Sequence, residues 1–145
     1  MNFANRDIKP DNILFTTQAG GTNITHEDRC QIADFTTIVE CKSAEYRVND
    51  SHGTPAFQPP EVLNQIEDGY LPKPVDIWAM GISIYCLFFG RLPHNHIEDL
   101  KTKPVTIPED PEMSADMRFA LSRMLCWDAN ERANISEVLE LAWFN

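Results

Sequence analysis

The run NRDIKPDNIL, residues 5–14, places three chemically useful side chains in one short loop. It contains the carboxylate of Asp7, the ammonium group of Lys9 and the amide of Asn12, and then continues into apolar residues. A loop can bring such groups to one point, whereas a regular helix or strand would spread them over its faces. The Pro-Asp-Asn run at 10–12 is also ordinary turn chemistry, so a turn without a chemical role is the alternative interpretation.

Phosphoryl transfer needs the kinds of side chain that this loop contains. A carboxylate must accept the proton of the attacking hydroxyl, a cation must contact the migrating phosphate, and oxygen atoms must hold Mg²⁺. Asp7 could be the base, Lys9 the cation and Asn12 an oxygen ligand. Asp34, at the end of a second β-prone run, could supply the charged metal ligand.

Composition limits the classes of function. The chain has 145 residues, which suits one domain, and a formal net charge of −10, which disfavours nucleic acids and anionic membranes as partners. Basic peptides remain candidate partners. None of the four cysteines lies in a CxxC pair, so reduced thiols and an intracellular location are expected, in the cytoplasm or alternatively the nucleus.

The hydrophobic pattern predicts a mainly α chain with a small β-hairpin. Two β-prone runs, 12–17 and 29–35, flank a polar, glycine-containing loop at 18–28, and a turn-rich segment extends to residue 60. The apolar run 77–90 is too short to span a membrane, and the run 73–89 that overlaps it predicts a long buried central helix. Further helices are predicted near 59–66, 96–102, 114–127 and 134–144, with Ser114 and Asn134 as N-caps.

Five motifs, in order along the chain, resemble those of protein kinases. They are RDIKPDNIL (6–14, the catalytic loop), ADF (33–35, the magnesium-binding segment), GTPAFQPPE (53–61, the end of the activation segment), VDIWAMGISIYCLFFGRLP (75–93, the central helix) and ERANISEVL (131–139, the last helix). The lysine in DIKPDN is of the serine/threonine type. The sequence looks most like the calcium/calmodulin-dependent protein kinase kinases and the liver kinase group.

The resemblance implies a role for each matching residue. Asp7 would be the catalytic base and Lys9 the contact to the γ-phosphate of ATP, with Asn12 and Asp34 as Mg²⁺ ligands. In an activation segment at 34–61, Arg6 would pair with a phosphate carried by Ser51, or alternatively by Thr36, Thr37 or Ser43. Thr54 would bond to Asp7 and Lys9, Glu61 and Arg132 would form a structural ion pair, and Asp76 would hold the backbone of the catalytic loop.

Three positions depart from the pattern of the family. Asn5 replaces the histidine of HRD, and this smaller polar residue is expected to loosen packing around Phe35. Thr36 replaces the glycine of DFG and is expected to alter how Asp34 moves, because a β-branched residue restricts the backbone. Pro59-Pro60-Glu61 replaces the APE motif.

No run in the chain matches the glycine-rich loop, the strand lysine or the helix glutamate that clamp ATP in the family. We therefore expect residues 1–145 to be a partial domain, the C-terminal lobe of the protein kinase fold with the N-terminal lobe absent, and inactive alone. Its partners would be protein substrates with serine or threonine, and an upstream kinase, with no nucleic acid and no membrane span. The alternative is a pseudokinase-like module that binds peptides or a partner without catalysis.

Overall fold

The computed structural model of the chain describes residues 2–16 and 29–145. These contain the strands β1 (Phe3–Ala4), β2 (Ile13–Thr16), β3 (Arg29–Ile32) and β4 (Val39–Glu40). The α-helices are α1 (Pro60–Leu63), α2 (Pro72–Phe89), α3 (Ile97–Thr102), α4 (Ala115–Met124) and α5 (Ile135–Glu140). Turns of 3-10 helix occupy Pro10–Asn12, Pro55–Phe57 and Ala142–Phe144. Residues 18–28, predicted as a polar loop, lie outside the described residues.

Two small antiparallel sheets bring the N-terminal third of the chain together. β2 pairs with β3, with Ile13 opposite Ile32, so the predicted hairpin strands are confirmed as partners. β1 pairs with β4, which the sequence did not predict because two-residue strands give no alternation to detect. This second pairing places residues 39–40, which follow Asp34, beside residues 3–4, which precede the loop that carries Asp7.

The apolar helix α2 forms the centre of the helical part, as its sequence predicts. Trp78 and Ile82 are fully buried in it and pack with Leu121 of α4. Gly81 allows α2 and the end of α4 to approach closely, because a Cβ at this position would lie 2.8 Å from Cδ2 of Leu125. In the described part of the chain, no helix combines the length and apolarity that crossing a bilayer requires.

Local signals set the ends of the helices. The left-handed Gly90 (φ +67°) ends α2, and its N–H donates to the carbonyl of Cys86. The Ser114 hydroxyl caps α4 by accepting from the N–H of Met117, and Asn134 forms the predicted capping box with Glu137. The last helix ends at Glu140, earlier than predicted, and a 3-10 turn follows it.

Candidate active site

Asp7, Lys9 and Thr54 form a closed triangle of hydrogen bonds. The Lys9 ammonium donates to Oδ2 of Asp7 at 3.0 Å and to Oγ1 of Thr54 at 2.6 Å. The Thr54 hydroxyl in turn donates to Oδ1 of Asp7 at 2.7 Å. Thr54, which lies 45 positions after Lys9 in the sequence, therefore fixes the orientation of the Asp7 and Lys9 side chains.

Asn12 belongs to the same cluster because the 3-10 turn Pro10–Asn12 folds the loop back on itself. Its backbone N–H donates to the carbonyl of Lys9. Its side-chain nitrogen Nδ2 donates to the Asp7 backbone oxygen at 2.9 Å and to Asp7 Oδ2 at 3.1 Å. With the nitrogen held by Asp7, the acceptor atom Oδ1 is the end of Asn12 suited to a cation.

The environment of Asp7 keeps its carboxylate charged. Burial raises the pKa of Asp7, but hydrogen bonds from Thr54 and Lys9, together with the charge of Lys9, outweigh burial and hold the pKa below its ordinary value. At neutral pH the group is therefore a carboxylate, the form that can accept a proton.

Asp34 lies beside this cluster and is connected to it through Asn5. The Ala33 N–H donates to the Asn12 carbonyl at 2.7 Å, extending the pairing of β2 and β3. Nδ2 of Asn5 donates to the Asp34 carbonyl at 3.1 Å, and Oδ1 of Asn5 accepts from the Asp7 N–H at 3.0 Å. A single buried amide thus bridges the loop that carries Asp7 and the turn that carries Asp34.

The Asp34 carboxylate accepts two hydrogen bonds from Thr36. The N–H and the hydroxyl of Thr36 donate to its Oδ1 at 3.0 and 2.6 Å. These bonds, first that of the hydroxyl, hold the pKa of Asp34 below its ordinary value. Asp34 also has φ +61° and Arg6 has φ +70°, backbone conformations that side-chain-bearing residues rarely adopt and that concentrate at functional sites.

Arg6 is a buried cation whose partner is a carboxylate. Nη1 of Arg6 donates to Oδ1 of Asp50 at 2.6 Å, and Nε donates to the Thr37 carbonyl at 2.7 Å. The sequence suggested a phosphate on Ser51 as the partner of Arg6. Ser51 itself is exposed, and its carbonyl accepts from Gln58.

Asp76, near the start of α2, accepts from the backbone of the loop. Its Oδ2 accepts from the Asn5 N–H and its Oδ1 from the Arg6 N–H, both at 2.7 Å. Burial raises the pKa of Asp76 to about 6, against the lowering effect of these two bonds and of the Arg6 charge.

Glu61 and Arg132 form a two-bonded ion pair away from the Asp7 cluster. Nη1 and Nη2 of Arg132 contact Oε1 and Oε2 of Glu61 at 2.8 and 3.2 Å. The Arg132 side chain is fully buried, and its guanidinium lies 4.9 Å from the ring centre of Trp78. The pair joins α1 to the segment before α5.

The structure thus brings Asp7, Lys9, Asn12 and Thr54 into direct contact, with Asp34 adjacent through Asn5. Among residues 2–16 and 29–145, no three His, Cys, Asp or Glu side chains are grouped so that they could hold a metal ion. A metal at this cluster would therefore take protein oxygens from Asn12 and Asp34, and the rest of its ligands from phosphate and water, as Mg²⁺ commonly does.

The sequence matches the family described as "Protein kinase domain" over residues 1–144. This chain belongs to the protein kinase family. It is 32% identical to the serine/threonine-protein kinase par-4 of Caenorhabditis briggsae, over 97% of this chain and 22% of that protein. It is 33% identical to the serine/threonine-protein kinase stk11 homolog of Dictyostelium discoideum, over 95% of this chain and 23% of that protein.

A relative from the second group suggested by the motifs is also similar. The calcium/calmodulin-dependent protein kinase kinase cmkC of Emericella nidulans is 32% identical, over 95% of this chain and 26% of that protein. The resemblance to both groups is confirmed. The chain spans about a quarter of the length of these three curated relatives.

Sequence reasoning missed two features of this protein kinase domain. It considered Asn5 only as a smaller residue that packs beneath Phe35. In the structure Phe35 is 56% exposed, and the side-chain amide of Asn5 forms hydrogen bonds through both its nitrogen and its oxygen. It also assigned Arg6 a phosphate partner and overlooked Asp50. The signal available was an acidic residue next to the candidate phosphorylation site Ser51.

The donor set of this kinase domain fits a divalent cation. Asp34 is exposed and held ionised, and the nitrogen end of Asn12 is turned to Asp7. Hard oxygen ligands of this kind are those that Mg²⁺ prefers. The hydroxyl of Thr36 shares Oδ1 of Asp34, so Oδ2 is the freer carboxylate oxygen for a cation.

The raised pKa of Asp76 predicts a pH-dependent contribution to stability. Because its folded pKa of about 6 exceeds the ordinary 3.8, the contribution is complete below pH 4 and is lost as pH rises through 6. We expect the free-energy advantage of the wild type over Asp76→Asn to fall by about 2 kcal/mol between pH 4 and pH 7. Urea unfolding of both proteins at the two pH values measures this, and a constant difference would contradict it.

Proposed function

We propose that this kinase domain is part of an enzyme that transfers the γ-phosphate of ATP to serine or threonine hydroxyls of proteins. The observation that supports it most is the Asp7–Lys9–Thr54 triangle with Asn12 bonded to Asp7. The type of hydroxyl is inferred from Lys9 and from the printed names of the relatives, which are serine/threonine kinases. We infer further that residues 1–145 form the C-terminal lobe, with an activation segment at 34–61.

In this proposal each residue of the cluster does one task. Asp7 accepts the proton of the attacking hydroxyl, and hydrogen bonds from Thr54 and Lys9 hold its carboxylate in a fixed orientation. The Lys9 ammonium, fixed by Asp7 and Thr54, offers positive charge to the migrating phosphate. Asn12 and Asp34 would hold Mg²⁺, which when bound supplies the positive charge that offsets the charge of the triphosphate.

The second candidate is a module that binds peptides or a partner protein without catalysis. It is favoured by Thr36, whose hydroxyl bonds to the Asp34 carboxylate at 2.6 Å and so competes with a cation for one oxygen. The four charged or amide side chains that phosphoryl transfer requires are nevertheless all present, which favours the enzyme.

Magnesium-dependent nucleotide binding and phosphate transfer separate the two candidates. The full-length protein is assayed for transfer of labelled phosphate from ATP to a mixed serine- and threonine-containing substrate protein. We expect ATP binding that requires Mg²⁺, is lost in Asp34→Asn and is kept in the exposed Asp116→Asn control on α4. Binding and transfer both absent in the wild type would contradict the proposal and leave the binding module. That the 145-residue chain alone is inactive stays a prediction for the same assay.

A further inference from the structure

One carboxylate oxygen of Asp50 is shared by three side chains from different parts of the chain. Oδ1 of Asp50 lies 2.6 Å from Nη1 of Arg6 and 2.9 Å from Nδ1 of His52, and the Tyr70 hydroxyl donates to it at 3.3 Å. Arg6 belongs to the loop that carries Asp7, His52 to the segment before Thr54, and Tyr70 to the connection between α1 and α2. Asp50 therefore joins three segments, two of which are also linked by the backbone bridge between Val48 and Tyr70.

Arg6 needs an anion at this place. Its side chain is 7% exposed, and its other contacts, the Thr37 carbonyl and the Tyr70 hydroxyl, are uncharged groups. A buried cation without a counter-charge is strongly destabilising, so the anion that pairs with it controls whether the surrounding segment is ordered. Asp50 provides this negative charge as part of the amino-acid sequence.

The Asp50 carboxylate is charged at neutral pH. Burial raises the pKa of Asp50, but the hydrogen bonds from Arg6 and His52 and the charge of Arg6 hold it well below its ordinary value. The ion pair with Arg6 is thus formed without any modification of the chain.

Short chain distances carry the effect from Asp50 to the catalytic cluster. Thr54, which bonds both Asp7 and Lys9, follows Asp50 by four positions. Between them, Nε2 of Gln58 donates to the carbonyls of Ser51 and His52, and Gly53 at φ +109° packs against the carbonyl of Arg6, where a Cβ would collide. Fixing Asp50 on Arg6 therefore also fixes Thr54.

We propose that Asp50 is a positioning residue that orders the segment from Thr37 to Thr54 through Arg6, in place of a phosphate. In many kinases such a segment becomes ordered when a phosphorylated residue pairs with arginine. Here the carboxylate of Asp50 already occupies that arginine, so phosphorylation of the exposed neighbour Ser51 is not needed for order. This inference deepens the proposed function and rests on it for its catalytic consequence.

Hydrogen exchange in the chain without phosphate tests whether Asp50 orders the segment, and it requires no measurement of activity. Reporter amides are those of Val48, bonded to the Tyr70 carbonyl, and Phe57, bonded to the Thr54 carbonyl, with amides of α2 as the reference for global folding. We expect both reporters to be protected in wild type whose mass shows no phosphate, and in Ser51→Ala. Asp50→Asn should exchange at the reporters about tenfold faster or more, with Asp50→Glu recovering part of the loss.

Two exchange results would overturn the role of Asp50: unchanged reporter exchange in Asp50→Asn, or reporters that become protected in wild type only after phosphorylation. The second result can be read from the wild type alone, so it decides the matter even if Asp50→Asn does not fold.

Kinetics of the full-length protein test whether the ordering by Asp50 affects phosphate transfer. Phosphatase treatment and Ser51→Ala should leave kcat and KM unchanged, whereas Asp50→Asn should raise KM for the protein substrate and lower kcat, each about tenfold, with partial rescue by Asp50→Glu. Activity that disappears on phosphatase treatment would contradict the inference. A wild type that transfers no phosphate would contradict the proposed function instead, and the exchange data would still decide the role of Asp50.

Discussion

Replacing Asp7 by asparagine should lower kcat for phosphate transfer by roughly 10²–10⁴ in the full-length protein. Asparagine keeps the size of the side chain and can still bond to Thr54, so the change removes the charge and the proton-accepting capacity with little change in shape. The expected result is a loss in kcat with little change in KM for ATP, because in the proposed mechanism Asp7 acts mainly when the hydroxyl proton moves.

The matched control is Asp116→Asn, which makes the same chemical change on the exposed face of α4. It should leave kcat and KM as in the wild type. Thermal unfolding of all three proteins separates catalytic loss from loss of fold. If Asp7→Asn and Asp116→Asn both had the kcat of the wild type, Asp7 would not be the base.

The sequence allowed the helical part to be predicted well because its signals are local. Helix α2 lies within two residues of its predicted bounds, since its buried apolar run and the terminating Gly90 are neighbours in the chain. The caps of α4 and α5 involve residues three positions apart and were predicted for the same reason. Such signals need no knowledge of the tertiary structure.

The contacts across the site were less predictable because their partners are distant in sequence. The motifs suggested that Asp7, Lys9, Asn12 and Asp34 converge, but not which atoms meet. Asn5 and Asp34 are 29 positions apart, and Arg6 and Asp50 are 44 apart. Nothing in the composition of either segment reveals such pairs. The motif resemblance also suggested a phosphate for Arg6, and this made an ordinary aspartate easy to overlook.

The two misses have a common physical cause. A sequence motif records the residue types at a site, whereas burial and hydrogen bonding determine what those residues do there. Asn5 contributes through an amide that bonds at both ends, and Asp50 through one oxygen shared by three side chains. Both residues act by holding other segments in place, and both became visible only from interatomic distances.

The pair of Glu61 and Arg132 should give the largest loss of stability. Glu61→Gln removes the counter-charge of a guanidinium that is fully buried, and we expect it to lower the free energy of unfolding by about 3–5 kcal/mol. The measurement is urea unfolding at pH 7 monitored by tryptophan fluorescence, for which Trp78 beside Arg132 is a suitable probe.

The matched control is Glu98→Gln, the same substitution in a surface ion pair. Glu98 contacts Lys101 at 2.8 Å in α3, but its side chain is 78% exposed. Water replaces the lost contact there, so the expected cost is about 0–1 kcal/mol. Equal losses for the two variants would show that the Glu61–Arg132 pair is no stronger than a surface pair.

Replacing both partners by apolar residues should not restore full stability. In general such a swap can be neutral, because it removes both charges from the interior. Arg132, however, also donates to the carbonyls of Cys126, Pro74 and Trp127. Those carbonyls would lose the Arg132 donor in a Glu61→Met/Arg132→Met protein, so it should stay destabilised by about 1–3 kcal/mol. A double variant as stable as the wild type would mean that the ion pair alone, and not the anchoring of three backbone oxygens, accounts for the role of Arg132.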